Sequence, residues 1–371
     1  MRIGIDARLP YYRTGGISTY IVNLIQQLES HPARAAHTFM VLQSRKMKSR
    51  LSQPFRCIPM WTPCHHRIER EALALEVSRL GLDVLHVTDF IPPRFGARRY
   101  VANIYDLTFL HYPEYLTAES QRYYNDQIQQ ASAQAHHILT ISEASRQDII
   151  NLLGVAPDKV TVHLLAASEI FRQQPREVIA GLRARLGLPV DYFLFVGTFE
   201  PRKNIQGILH AYHQLRDQLG TRTPALVLVG NHGWLFEETL QLAQELNLTS
   251  ALHWVHNLPN ADLPALYSGA VALLMPSFYE GFGLPALEAM QCGTATIVSD
   301  RSSLPEVVGE VGWRVDPYSV ESLAEAMYHA YTDEALRHQA QQAGLLRAQQ
   351  FKWATVAETA MRTYQMVMEK S

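Results

Sequence analysis

The chain has 371 residues and a formal net charge of −2, from 33 Lys+Arg against 35 Asp+Glu. Such a length exceeds a usual single core and implies two domains, and the balanced charge argues against a broad nucleic-acid surface. The three cysteines, Cys57, Cys64 and Cys292, form no C-x-x-C pair, which points to a reducing compartment and no structural zinc.

The N-terminus runs almost at once into Arg2-Ile3-Gly4-Ile5-Asp6, which reads as a strand and not a signal peptide. No apolar run approaches the ~18 residues of a membrane span. The expectation is a soluble, cytoplasmic protein, with peripheral contact at a membrane face left open. Thr14-Gly15-Gly16-Ile17-Ser18-Thr19-Tyr20 then leads into Ile21, Leu24, Ile25 and Leu28 at helical spacing. The N–H groups of this glycine loop and helix start suit an acceptor sugar or a phosphate; a plain tight turn is the alternative.

Phe39 to Leu42 reads as the next strand, and Ser44-Arg45-Lys46-Met47-Lys48-Ser49-Arg50 as a basic loop. That loop is either simply solvated or meets an anionic membrane or acidic acceptor. An amphipathic helix is predicted over 67–80, then strands over 84–87 and 100–105. Asp106 ends the second of these, where ligands gather in open α/β sheets; turn duty is its alternative. A polar helix over 118–135, a strand over 138–141, a capped helix from Ser142 and a strand over 160–164 follow. The domain boundary is expected near 165–185.

The second half opens with the strand Tyr192 to Val196, the turn at Gly197 and the loop Glu200-Pro201-Arg202-Lys203-Asn204 before a helix. Two cations at a helix start oppose the dipole, which suggests that Arg202 and Lys203 face an external anion such as a diphosphate; a solvated charge pair is the alternative. Strands over 225–229, ending at Gly230, and 252–255 come next, then a helix over 262–268. The apolar run Val271 to Met275 leads into Ser277-Phe278-Tyr279-Glu280-Gly281-Phe282-Gly283-Leu284-Pro285-Ala286-Leu287-Glu288. Pro285 suits the first helical position and Gly293 the residue past the helix end. Glycines before a helix start favour an anion, whereas the carboxylates of Glu280 and Glu288 accept hydrogen bonds from hydroxyls. The stretch therefore fits a phosphate at the helix end with sugar or ribose hydroxyls on either side. It also matches, more weakly, the dinucleotide fingerprint as Gly281-x-Gly283-x-x-Ala286, with Asp300 ending the next strand over 295–298. A glycine turn before a core helix is the third reading. Helices over 323–331 and 353–368 close the chain.

Both halves alternate βαβα with informative residues on loops after strands, which implies two doubly wound parallel-sheet domains facing a central cleft. The boundaries expected are 1–170 for an acceptor-binding domain, 171–350 for a donor-binding domain and 351–371 for a helix packing back on the first.

With these pieces assembled, the chain resembles the retaining family-4 glycosyltransferases of the GT-B fold, two Rossmann-like domains. The resemblance rests on Gly15-Gly16-Ile17-Ser18-Thr19-Tyr20, Ile104-Tyr105-Asp106-Leu107-Thr108-Phe109, Gly197-Thr198-Phe199-Glu200-Pro201-Arg202-Lys203-Asn204, the Glu280 to Met290 stretch and Leu304-Pro305-Glu306. It implies that Arg202 and Lys203 hold a donor diphosphate. It further implies that Glu280, helped by the N–H groups of Phe282, Gly283 and Leu284, holds the donor hexose and that Glu288 binds the ribose. Gly15 and Gly16 would lie at the diphosphate and acceptor side, Asp106 in the catalytic set, and Gly197, Gly230 and the loop Asn257-Leu258 in the donor set. The partners implied are a nucleotide-diphosphate sugar, GDP-mannose or UDP-glucose, and a glycan or lipid-linked acceptor in polysaccharide assembly, without nucleic acid and without a cofactor. The chain departs from the family pattern at Tyr105, where many relatives have histidine, and at His256, where glycine is frequent. With no D-x-D triplet in the sequence, metal-independent transfer is expected. A nicotinamide oxidoreductase built on the glycine fingerprint and a non-catalytic sugar-nucleotide binder are the competing classes.

Overall fold

The computed structural model describes every residue except 14, 116, 117, 232–235, 370 and 371. Thr14, the first residue of the N-terminal glycine loop, thus lies outside the described residues. The chain divides into two compact units: Met1–Leu165 with Lys352–Ser371, and Ala166–Phe351.

The first unit is built on seven strands: β1 (Arg2–Ala7), β2 (Thr38–Ser44), β3 (Arg56–Met60), β4 (Leu82–Val87), β5 (Ala97–Asn103), β6 (His137–Thr140) and β7 (Val160–Val162). Their spatial order is β3-β2-β1-β4-β5-β6-β7, and every pairing is parallel. Ile3 sits opposite both Phe39 and Val84. The second unit holds β8 (Tyr192–Val196), β9 (Ala225–Val229), β10 (Leu252–Val255), β11 (Ala272–Met275), β12 (Ala295–Ser299) and β13 (Trp313–Val315). These run in the order β10-β9-β8-β11-β12-β13, again all parallel.

Parallel sheets need helices on both faces, so their strands read as unbroken apolar runs. That is the case for β8, β9 and β11, where Phe193, Leu194, Leu226, Val227, Leu273 and Leu274 are all fully buried. The covering helices are amphipathic for the same reason. Gly16–Ser30 buries Tyr20, Ile21, Leu24, Ile25 and Leu28, and Ile205–Leu219 buries Ile208, Leu209, Tyr212 and Leu215. In both sheets the strand order reverses beside the first strand, between β1 and β4 and between β8 and β11. Ligands bind outside the carboxyl ends of the strands at such switch points.

The final helix, Trp353–Glu369, belongs to the first unit. It buries Trp353, Val356, Ala360, Met361 and Val367. The Tyr364 hydroxyl meets His86 Nδ1 at 2.7 Å, and His86 Nε2 meets Asn103 Oδ1 at 2.5 Å. Burial pushes the His86 imidazole down to about 4, so it is neutral in this network.

Two strands have no counterpart in the sequence reading, β3 and β13. Both are edge strands; β3 carries Pro59, which an edge tolerates, and β13 has only three residues. The helices Arg176–Leu186 and Glu334–Ala348 also escaped it.

Candidate active site

In the second unit, the loops after β8 and β11 meet at the switch point. The loop after β8 ends in the tight turn Pro201–Lys203, and Asn204 caps the helix Ile205–Leu219, its side chain accepting from Gly207 N at 3.2 Å. Asn204 is buried, and its Nδ2 donates to Pro276 O at 3.1 Å and Pro317 O at 2.6 Å. One amide therefore fastens the loops after β8, β11 and β13 together. Phe278 N donates to Arg202 O at 2.9 Å and draws the same loops closer.

This sewing brings together three residues singled out in the sequence. Lys203 Nζ lies 2.5 Å from Glu280 Oε1, and Arg202 Nη1 lies 3.0 Å from Glu280 Oε2. Arg202 also donates to Tyr279 O at 3.0 Å and pairs with Glu200 Oε1 at 2.7 Å. Glu280 is only 6% exposed. Burial pushes its carboxyl up, but Lys203 and then Arg202 outweigh burial and hold it down at about 2. Both cations are thus paired within the protein, because a buried carboxylate is strongly destabilising without partners.

Beyond Glu280 the chain is held by serine hydroxyls. Glu280 N donates to Ser302 Oγ at 3.1 Å, and Ser303 Oγ donates to Glu280 O and Phe282 O, both at 2.8 Å. Gly283 has φ +107°, and a Cβ there would meet Leu304 Cδ2 at 2.6 Å. The helix Leu284–Gln291 starts at this point, with Pro285 at its second position and not its first. Gly293, at φ 71°, lies just past the helix end. Among the described residues, no protein acceptor is bonded to the N–H groups of Phe282, Gly283 or Leu284. Donors aimed outward at a helix start make an anion or hydroxyl cradle. Glu288, one turn further on, accepts from the Tyr267 hydroxyl at 2.9 Å, and burial pushes its carboxyl up to about 7.

Other donor-set residues lie further along the same sheet end. A Cβ on Gly230 would stand 1.8 Å from Gly197 O, so these two glycines let the ends of β8 and β9 pack backbone on backbone. His256 Nδ1 is 2.9 Å from Gly230 O, and Asn257 follows in the left-handed region at φ 53°. Asn257 and Leu258 follow β10, two strands from β8 and so about 10 Å across the sheet. No hydrogen bond among the described residues joins them to the Glu280 cluster.

The glycine fingerprint does not sit where a dinucleotide site needs it. It belongs on the turn after the first strand of a nucleotide-binding half, here β8. Gly281-x-Gly283-x-x-Ala286 instead follows β11, with residues 276–280 intervening. Asp300, after β12, is exposed and lies 3.7 Å from Arg301.

In the first unit, a cavity of about 310 Å³ opens at the strand ends, lined by Gly15, Gly16, Tyr105 and Asp106 among others. Asp106 Oδ1 accepts from Thr108 N at 2.9 Å, so it serves the turn while lining the cavity. The Tyr105 hydroxyl donates to Thr88 O at 2.6 Å and so spends its only proton on the backbone. Two lining residues went unnoticed in the sequence, His65 and Asp89, which pair at 2.7 Å. Asp89 follows β4 as Asp106 follows β5, and the same rule about strand ends would have found it. Among the described residues no helix is long and apolar enough to cross a membrane.

Two doubly wound parallel sheets, each carrying polar side chains at its switch point, make up the architecture of the GT-B fold class. Residues 183–347 match the profile of the glycosyl transferases group 1, and residues 14–163 that of glycosyltransferase family 4. The O-antigen chain mannosyltransferase B of Escherichia coli is 35% identical over 279 residues, covering 75% of this chain and 72% of that protein. The serotype-specific mannosyltransferase WbdA of Escherichia coli is 34% identical over 240 residues, covering 64% of this chain but only 29% of that protein. Among solved structures, sucrose-phosphate synthase from Thermosynechococcus elongatus superposes with a TM-score of 0.79 at 21% identity, each chain covered in full. Anabaena HepE in complex with UDP-glucose gives 0.75 at 17% identity, covering 99% of this chain and 100% of that one. The chain belongs to the family-4 glycosyltransferases and is a glycosyltransferase enzyme.

Proposed function

We propose that the chain transfers a hexose from a nucleotide-diphosphate sugar to a glycan or lipid-linked acceptor during assembly of a surface polysaccharide, with retention at the anomeric carbon and without a metal. The observation that carries this reading is the convergence of Lys203 and Arg202 on the buried Glu280 at the β8/β11 switch point. Lys203 has three donors, one of which meets Glu280, so it keeps N–H groups for a diphosphate, and Arg202 adds a second positive charge beside it. The N–H groups of Phe282, Gly283 and Leu284 would join Glu280 on the hexose, Glu288 would take the ribose, and the Asn257-Leu258 loop would meet the base. In the transfer, the bond from the anomeric carbon to the diphosphate oxygen breaks. The acceptor oxygen bonds to that carbon on the same face, and its proton passes to the leaving phosphate. Charge grows on that phosphate, where preorganised cations act most strongly. Gly15 and Gly16 would serve the diphosphate and acceptor side, and Asp106 would belong to the catalytic set.

The mannosyltransferase relatives favour GDP-mannose, and the UDP-glucose complex of HepE keeps UDP-glucose in view. Donor hydrolysis and thermal shift with GDP-mannose, UDP-glucose and NAD⁺ decide between them. One sugar nucleotide should be cleaved and should raise the melting temperature, with full activity in excess chelator; response to NAD⁺ alone would refute the proposal. Glu280→Ala and Lys203→Ala should each lower kcat/KM by roughly 10²–10³, and wild-type rates in both would remove these residues from the site.

Peripheral contact with an anionic membrane face belongs to the same reading. The Arg45 guanidinium lies 3.7 Å over the ring of Trp61, which is 68% exposed beside the basic loop after β2. Cosedimentation with phosphatidylglycerol vesicles should fall with added salt and in Trp61→Ala. Absence of any sedimentation at low salt would count against the contact.

A further inference from the structure

Among the described residues, five other than glycine have a left-handed backbone: His65, Asn204, Asn247, Asn257 and Ser302. Asparagine and histidine are the types that enter this region most readily without being glycine. Ser302, at φ 58°, is the exception. Its Cβ makes the conformation costly, whereas glycine would adopt it freely. Strain of this kind persists only where the surroundings fix it, and it gathers at working sites.

The hydroxyl gives the reason for serine. Ser302 Oγ accepts from Glu280 N at 3.1 Å and donates to Glu280 O. One side chain thus closes on both backbone polar groups of a residue 22 positions away. Ser303 is fully buried, and its Oγ lies 2.8 Å from Glu280 O and 2.8 Å from Phe282 O. Two successive side chains reach one carbonyl, which an extended chain with alternating side chains would not allow. A hydroxyl has a single proton. With Ser302 serving Glu280 O, the proton of Ser303 is left for Phe282 O. Glycine at 302 would relax the backbone, take the acceptor from Glu280 N and leave both carbonyls to Ser303.

Glu280 is therefore held from two sides. Lys203 and Arg202 fix its carboxylate, and Ser302 fixes its backbone. Misplacing a positioned group by about 1 Å can cost about 10²-fold in rate, so the second hold matters to any group that must meet a substrate at one place.

We propose that Ser302 is a positioning residue for the transfer. It acts through Glu280, and its strained backbone is retained because the hydroxyl fixes where the Glu280 carboxylate meets the donor hexose. The proposal rests on the reading above that Glu280 holds that hexose.

Steady-state kinetics and melting temperatures of Ser302→Gly and Ser302→Ala test it. Both variants should lower kcat about tenfold, with the donor KM within about threefold of wild type. Ser302→Gly should nevertheless melt above Ser302→Ala, because glycine sheds the strain that alanine keeps. Thermal shift by the nucleoside diphosphate, which lacks the hexose, should keep its wild-type size in both. In Ser302→Gly/Glu280→Ala the rate should be no lower than in Glu280→Ala alone, since residues that act as a unit are not additive. Wild-type kcat in Ser302→Gly, a Ser302→Ala that melts at or above Ser302→Gly, loss of the nucleoside-diphosphate shift, or an additive loss in the double variant overturns the proposal. Wild-type turnover in Glu280→Ala would instead remove the reading of Glu280 on which it rests.

Discussion

Glu280 and Glu288 lie eight positions apart, yet their surroundings push them in opposite directions. Two cations keep Glu280 ionised, so its stabilising contribution is present above pH 4.5 and is lost as pH falls through about 2. Glu288 has burial against it and only a tyrosine hydroxyl for support, which raises it from 4.5 to about 7. In that window the unfolded chain has released a proton that the folded one keeps. Stability therefore falls as pH rises from 4.5 to 7, and the full penalty stands above 7. Glu288→Gln should remove this slope: the melting temperature of wild type, relative to the variant, should decline across that range and then level. A ribose hydroxyl is held more strongly by an ionised acceptor than by a protonated one, so affinity for the sugar nucleotide should rise with pH through the same window in wild type and stay flat in the variant. Parallel curves for both proteins would show that Glu288 neither titrates there nor touches the ribose.

At the scale of elements, the legible parts were those that local chemistry dictates. Buried parallel strands are apolar runs, so β1, β8, β9, β11 and β12 were readable from composition alone, and Ser142 was readable as a cap because its side chain does accept from Ser145 N at 3.0 Å. The edge strands β3 and β13 were not, since β3 is mostly part-exposed and broken by Pro59 and β13 has only three residues. Glu280 and Lys203 were each legible, but their ion pair spans 77 positions and only the sheet order brings it about. The His65–Asp89 pair was hidden likewise, as no local periodicity links a loop after β3 to the end of β4. The glycines divide by what they meet. At Gly230 a Cβ would strike the Gly197 carbonyl, which is backbone, whereas at Gly283 it would strike the end of the Leu304 side chain, which can turn aside. Gly230→Ala should therefore destabilise more than Gly283→Ala, in which the φ of +107° leaves strain of about 1–3 kcal/mol. Urea unfolding of the two variants checks the order; a more stable Gly230→Ala would mean that the two strand ends are free to separate.

At the scale of the whole molecule, each unit owns its core, and the chain crosses between them twice, near Leu165 and again near Phe351. The second crossing makes the last helix part of the first unit, whose sheet it covers with Trp353, Val356, Met361 and Tyr364. Truncation after Phe351 would remove that cover. It would expose apolar faces of the first sheet and of Gly16–Ser30, and take away the tyrosine partner of His86 Nδ1. Arg202, Lys203, Glu280 and Glu288 all lie within Ala166–Phe351 and would be retained. Protein with two cores need not melt in one step, so the truncated chain should show early loss of the first unit and, at higher temperature, a second transition that the donor nucleotide still raises. Hydrogen exchange should place the lost protection in β1, β4 and β5 and the nucleotide-dependent protection in the loops after β8 and β11. If truncation abolished the nucleotide response while the second unit stayed protected, the donor site could not be confined to that unit, and residues of the first would have to complete it.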